Sequence, residues 1–105
     1  MTPEAKVKRK VTDLLKRLGI YYFCPLTGGY GRSGVPDIIC CVNGRFVAIE
    51  CKAGDNTLTA LQQSQIDKIK AAKGDALVIY GFAGVLKNNL QYLEWHLQRR
   101  LNDGI

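Results

Sequence analysis

Apolar positions change their period several times along the chain, and each change marks an element. Val7, Val11, Leu14, Leu15 and Leu18 recur at helical spacing after Thr2-Pro3, an N-cap followed by proline at the first helical position, and Gly19 ends the run. Lys6, Arg9, Lys10, Lys16 and Arg17 fall on the opposite side. Glu4 does not: it lies on the apolar stripe, one turn before Val7. An acid there is either a favourable charge in the first turn of the helix dipole or a group directed inward. Residues 20–26 read as an aromatic-rich strand, and TGGYGRSG, residues 27–34, reads as a glycine-rich loop. Two strands follow, over residues 35–42 and 45–52, joined by Asn43-Gly44, the strongest short hairpin signal. Residues 59–73 predict a helix with Ile66 and Ile69 inward and Leu61 at the edge, and residues 75–82 a buried strand. A last amphipathic helix carries Leu86, Leu90, Leu93, Leu97 and Leu101 on one stripe. The order is αβββαβα, an α/β fold with a C-terminal helix added to an αβββαβ core.

The hairpin turn fixes where the charges inside its strands point. With Asn43 and Gly44 as the two loop residues, Val42 pairs with Arg45, and Asp37 stands opposite Glu50 as a close, non-hydrogen-bonded pair. Lys52, two residues on, projects from the same face. Two carboxylates held together repel and destabilise a sheet. A divalent cation reverses that sign, and hard oxygen ligands at this separation suit Mg²⁺ or Mn²⁺. The competing arrangement is Lys52 pairing with both acids at a frayed hairpin end, or a bulge that separates them.

The 105 residues suit one domain with a single core. No apolar stretch is long enough to span a membrane, and the N-terminus lacks the apolar core of a signal peptide. Cys24, Cys40, Cys41 and Cys51 form no C-x-x-C pair. They read as buried free thiols of a cytoplasmic protein rather than as a zinc site with His96. Fifteen Lys and Arg against nine acids give a net charge of +6, which suits a polyanionic partner such as nucleic acid.

Gly34-x-Pro36-Asp37 followed by Glu50-Cys51-Lys52 resembles the PD-(D/E)XK nuclease motif. More narrowly, GGYGRSGVPDII, GRFVAIECKAG and TALQQSQIDKIKAAKG resemble the VRR-NUC family in its compact, single-domain phage and bacterial form, over most of residues 4–82. The resemblance implies a restriction-endonuclease-like core with a mixed central sheet, in the cytoplasm of a bacterium or phage-infected cell. It implies a Mg²⁺- or Mn²⁺-dependent phosphodiesterase acting on DNA. Asp37, Glu50 and the backbone carbonyl of Cys51 would hold the metal, and Lys52 would orient the attacking water or stabilise charge on the phosphate. Glu4 matches the helix-one acid of the family, and Gln62 its helix-two glutamine, with Gln65 in reserve. Gln62 is also the fourth residue of a capping box begun by Thr59. Lys6, Lys10 and Arg32 would contact DNA.

Compact members of the family resemble junction resolvases, so a homodimer cutting four-way DNA is the first expectation. Tyr92 and Trp95, projecting from the last helix away from its leucine stripe, mark a candidate dimer surface. The alternatives are a monomeric nuclease for flaps, nicks or duplex, and a DNA-binding module without catalysis.

Overall fold

The computed structural model describes residues 1–26, 33–81 and 88–103. Thr2 accepts the Ala5 N–H and starts α1 (Pro3–Arg17), whose buried residues are Val7, Val11, Leu14 and Leu15. Strands β1 (Tyr21–Phe23), β2 (Ile38–Val42) and β3 (Arg45–Lys52) follow, then α2 (Ala60–Ala71), β4 (Asp75–Tyr80) and α3 (Leu90–Leu101). The sheet runs β1-β2-β3-β4, with the first two pairings antiparallel and β3-β4 parallel. It is therefore a mixed four-stranded sheet in an α/β chain. No helix among the described residues is long and apolar enough to cross a membrane.

The hairpin has the expected register: Val42 pairs with Arg45, and the ladder continues to Ile38 with Ile49. Asn43 and Gly44 both take positive φ, 53° and 81°, as a two-residue type I′ turn demands. Several boundaries fall short of the expected ones, each for a local reason. β2 begins at Ile38 and not at residue 35, because Pro36 has no N–H to give a ladder and Gly34 sits at φ 78°. β1 is three residues long and stops before Cys24-Pro25. α2 starts after Thr59, its cap, and ends at Ala71, two residues before Lys73 turns left-handed at φ 73°. Leu86, Phe82 and most of the 27–34 glycine loop lie outside the described residues.

Alternation along the strands divides the core in two. Cys40, Val42, Val47, Ile49, Cys51, Leu77 and Ile79 face α1 and α3, where Leu93 and Leu97 are fully buried and Leu90 and Leu101 lean on the cluster. Ala48, Ala76 and Val78 face α2 through Ile66 and Ile69. Two helices thus cover one face and a single helix the other. The thiols are not all buried as expected: Cys24 and Cys41 are exposed. Cys41 alternates on β2 to the face served by α2, and Cys24 follows the end of β1.

At the start of β3 and β4 the sheet is pinned by charge. Asp75 is buried, and both its oxygens are taken: Arg45 Nε and Nη2 lie 2.9 and 2.8 Å from Oδ1, and Arg100 Nε lies 2.8 Å from Oδ2. His96 Nε2 is 3.0 Å from Oδ2, so the ring is a further hydrogen-bond partner of this carboxylate. Burial alone would raise the Asp75 pKa. The bonds from Arg45, Arg100 and His96 outweigh it and hold the carboxyl well below the usual carboxylate range. A carboxyl depressed in this way contributes stability above its unfolded pKa near 3.8, lost only as pH falls through the lower folded value. Asp75→Ala is expected to destabilise the fold by about 3 kcal/mol, since it strands two guanidinium groups at the end of the sheet. Urea denaturation at neutral pH measures this, and a loss near zero would mean that the cluster is merely a surface decoration.

Candidate active site

The opposite end of β3 carries the other cluster of charge. Glu50 and Lys52 are 3% and 6% exposed, on the α2 side of the sheet but beyond the apolar contacts of that helix. Asp37 stands one residue before β2, so it extends the hairpin register toward Glu50 without joining the ladder. Its Oδ2 instead accepts the backbone N–H of Cys51 at 2.8 Å. This bond locks the Asp37 carboxylate against β3 more firmly than a side-by-side strand pair would.

Helices close the site from two directions. Glu4, in the first turn of α1, lies 3.7 Å from Lys52 Nζ through Oε1, and Lys52 Nζ lies 3.9 Å from Glu50 Oε2. Gln62 enters from α2: its Nε2 donates to Glu50 Oε2 at 3.1 Å, while its Oε1 accepts the Thr59 N–H at 3.0 Å. The amide orientation is fixed by chemistry, since a backbone N–H can only donate. The capping box and the bond to the site are thus made by one side chain. Gln65 lies elsewhere, beside Phe46, Lys68 and Ile69.

Glu4, Asp37, Glu50, Cys51, Lys52 and Gln62 therefore line one cleft of about 190 Å³, together with Ala5 and Lys8. The sequence reading missed Lys8, although it follows Glu4 by four residues and so shares its face of α1. Lys6 and Lys10 are exposed on α1 and do not line the cleft, and Arg32 lies outside the described residues.

Burial, then the Asp37 charge, push the Glu50 pKa up to about 7; Lys52 opposes the rise and Glu4 adds to it. The cleft is thus short of positive charge. Its donors are hard oxygens with neither imidazole nor a turned-in thiolate, a set that fits Mg²⁺ or Mn²⁺. The bonds above engage Asp37 Oδ2 and Glu50 Oε2, and involve neither Asp37 Oδ1 nor Glu50 Oε1. No three His, Cys, Asp or Glu side chains among the described residues form a ready ligand cage. Two carboxylates agree with Mg²⁺, which usually keeps waters or substrate phosphates as its other ligands.

Gly34 shows why the motif needs a glycine there. At φ 78°, a Cβ on Gly34 would meet the Leu61 carbonyl carbon at 2.5 Å and the Gln62 nitrogen at 2.8 Å. The loop before Asp37 and the start of α2 can approach only without a side chain.

Two outcomes follow from this geometry. Gly34→Ala should cost about 2 kcal/mol or more in urea denaturation, because the atoms it strikes are backbone; wild-type stability would show that α2 yields freely. For Glu50, the raised pKa means that the metal-free fold gains stability from its protonated form. That gain is complete below about pH 4.5 and is lost as pH rises through about 7. Melting temperature in chelator should fall between those limits, and Glu50→Gln should flatten the fall. An equally steep profile in the variant would place its source elsewhere.

No protein-family model matches the chain and no curated protein matches it, which leaves the geometry of this cleft to carry the functional conclusion.

Proposed function

We propose that the chain is a Mg²⁺- or Mn²⁺-dependent deoxyribonuclease with a restriction-endonuclease-like core of the VRR-NUC type, cutting branched DNA as a homodimer. The observation that carries this reading is the convergence of Asp37, Glu50, Lys52, Glu4 and Gln62 on one small cleft, from four different stretches of sequence. Burying Glu50 and Lys52 at the end of a strand, beside the half-buried Asp37, costs several kcal/mol in a purely structural role. The same arrangement is useful where a dication and a phosphate complete the charge balance.

Each side chain has a task in that chemistry. Asp37 and Glu50, with the Cys51 carbonyl as a further oxygen donor, would hold a dication, which when bound would lower the pKa of water and offset the phosphate charge. Gln62 fixes the Glu50 carboxylate by its bond to Oε2, and the Cys51 N–H does the same for Asp37. Lys52 presents a buried ammonium where negative charge grows on the phosphoryl oxygens. Glu4 steadies that ammonium from α1, so that it does not collapse fully onto Glu50. Lys8 and, further out, Lys6 and Lys10 extend positive charge along α1 for the DNA backbone.

The test is cleavage of labelled linear, flap and four-way DNA with and without Mg²⁺ or Mn²⁺. Asp37→Ala, Glu50→Ala and Lys52→Ala should each lower the rate by about a hundredfold or more while melting cooperatively. Near wild-type cleavage by the Asp37 or Lys52 variant would overturn the assignment. Tight binding without any cleavage would identify a DNA-binding module, and equal cutting of all three substrates a general nuclease. Binding to the native state alone means that Mn²⁺ should raise the melting temperature, and Glu50→Ala should remove most of the shift. Calorimetry without saturable binding would count against the metal.

A further inference from the structure

The first turns of α1 leave a local ion pair unmade. Glu4 and Lys8 are four residues apart with the acid first, the better order for a pair along a helix. Glu4 reaches Lys52 instead, its Oε1 3.7 Å from Nζ. Lys52 is thereby shared between two acids, since Glu50 Oε2 lies 3.9 Å from the same Nζ. Lys8 is half-buried and lines the same cleft, yet among the described residues its ammonium makes no ion pair or hydrogen bond. The cleft therefore holds two lysines of different standing, one neutralised by acids and one not.

We propose that Lys8 grips the substrate, binding a phosphate of the DNA strand in the cleft, while Lys52 acts on the charge that develops during reaction. This rests on the nuclease reading and adds a substrate-binding residue that Gly34-x-Pro36-Asp37 and Glu50-Cys51-Lys52 do not include. The acids of the cleft are already engaged. Lys52 pairs with Glu4 and Glu50, the Cys51 N–H holds Asp37, and Gln62 holds Glu50. A half-buried ammonium beside them gains most from a new anion, because water reaches it only in part. Lys8 also acts at the right place: its charge opposes the rise in pKa of the Cys51 thiol, at the residue whose carbonyl faces the acids' end of β3. Lys8 would be repelled by a dication held at Asp37 and Glu50 unless an anion stood between them. A phosphate meets that condition, with oxygens for both. Ala5, which also lines the cleft from α1, adds only a methyl group to this wall and leaves the ammonium room.

Other basic groups among the described residues are worse placed. Lys6 and Lys10 are exposed and stand outside the cleft. A cavity of about 510 Å³ at the start of β3 holds Arg45, Lys73 and Arg100, but Asp75 occupies both arginines. α2 and α3 also end there, and the carbonyl end of a helix repels anions. On the last helix, Tyr92 packs partly against the core, correcting the expectation that it projects outward with Trp95. Trp95 is exposed, and the Arg99 guanidinium already stacks 4.9 Å from its ring centroid.

Binding and turnover separate the two lysines. In steady-state cleavage of four-way DNA with Mg²⁺, Lys8→Met should raise KM at least about tenfold and keep kcat within about threefold, whereas Lys52→Ala lowers kcat. In Ca²⁺, fluorescence anisotropy of the labelled DNA should show binding weakened at least about tenfold, with the slope of log K against log salt reduced by about 0.9. Lys8→Arg should recover most of the affinity, and Lys6→Met should change it less than about threefold. Without DNA, the rise in melting temperature with Mn²⁺ should be at least as large in Lys8→Met as in the wild type, because a like charge has left the cleft. Cooperative melting shows that each variant is folded. Wild-type KM and affinity in Lys8→Met overturn the proposal. So does an equal loss in Lys6→Met, the mark of a diffuse basic field, or loss of the Mn²⁺ shift, which would make Lys8 a support for the acids. DNA bound but left uncut by the wild type would end the nuclease reading, while the affinity of Lys8→Met would still decide the role of Lys8.

Discussion

The register of the Asn43-Gly44 hairpin is the constraint on which the rest of the molecule depends. Positive φ at both turn residues allows only two loop positions, and the pairing of Val42 with Arg45 follows. From that single pairing, Ile49 and Val47 go to the core while Glu50 and Lys52 go to the α2 side. Asp37 arrives beside the end of β3, close enough for its carboxylate to take the Cys51 N–H. A slip of one residue would send Glu50 and Lys52 into the apolar layer under α1 and α3 and expose Ile49 and Cys51. The hydrophobic cost of that exchange, at about 1.5–3 kcal/mol for each large side chain, protects the site geometry. Stability of the core and placement of the charges are one property.

β3 connects two charge clusters that differ in sign of strain. At its start, Asp75 has more donors than it needs, and its pKa is driven down. At its end, Glu50 has Lys52 and Gln62 but also Asp37 and Glu4, and its pKa is driven up to about 7. The first pattern is what a structural ion cluster achieves: burial is opposed by more than enough hydrogen bonds. The second is a folded state holding unfavourable charge that a ligand can relieve. Perturbation alone does not distinguish a site from a structural network, since both clusters are perturbed. Direction does: residual negative charge in a cleft calls for a cation, whereas Asp75 is already neutralised.

Much of this was legible in sequence, where local chemistry determines geometry. The N-cap at Thr2, the capping box of Thr59 and Gln62, the two-residue turn and the alternation of β3 each act within a few residues. Glu4 was legible as an acid on an apolar stripe, an anomaly that a helix wheel reveals. The His96–Asp75–Arg45–Arg100 cluster was not, because its members come from three elements brought together by the parallel β3-β4 pairing and by α3 docking. The early start assigned to β2 failed on Pro36, whose missing N–H outweighs the strand propensity of Val35. Tyr92 was misplaced because periodicity gives the face of a helix but not how far the neighbouring layer reaches around it.

One feature of the architecture joins the cleft to the open sheet face. A single helix over four strands must choose which strands to shield. Its choice here is dictated at its N-terminus, where Gly34 lets the backbone of Leu61 and Gln62 come within contact of the loop leading to Asp37. Gln62 then reaches Glu50, and the axis of α2 is committed to the β3-β4 side. On β1 and β2, Ile39 still packs against the layer under α2, whereas Tyr21, Phe23 and Cys41 stay exposed. Covering them with another helix of the same chain would crowd the approach to Asp37, which extends from the same strand on the same side. The exposure of Tyr21 and Phe23 beside the cleft is therefore a consequence of keeping the cleft open.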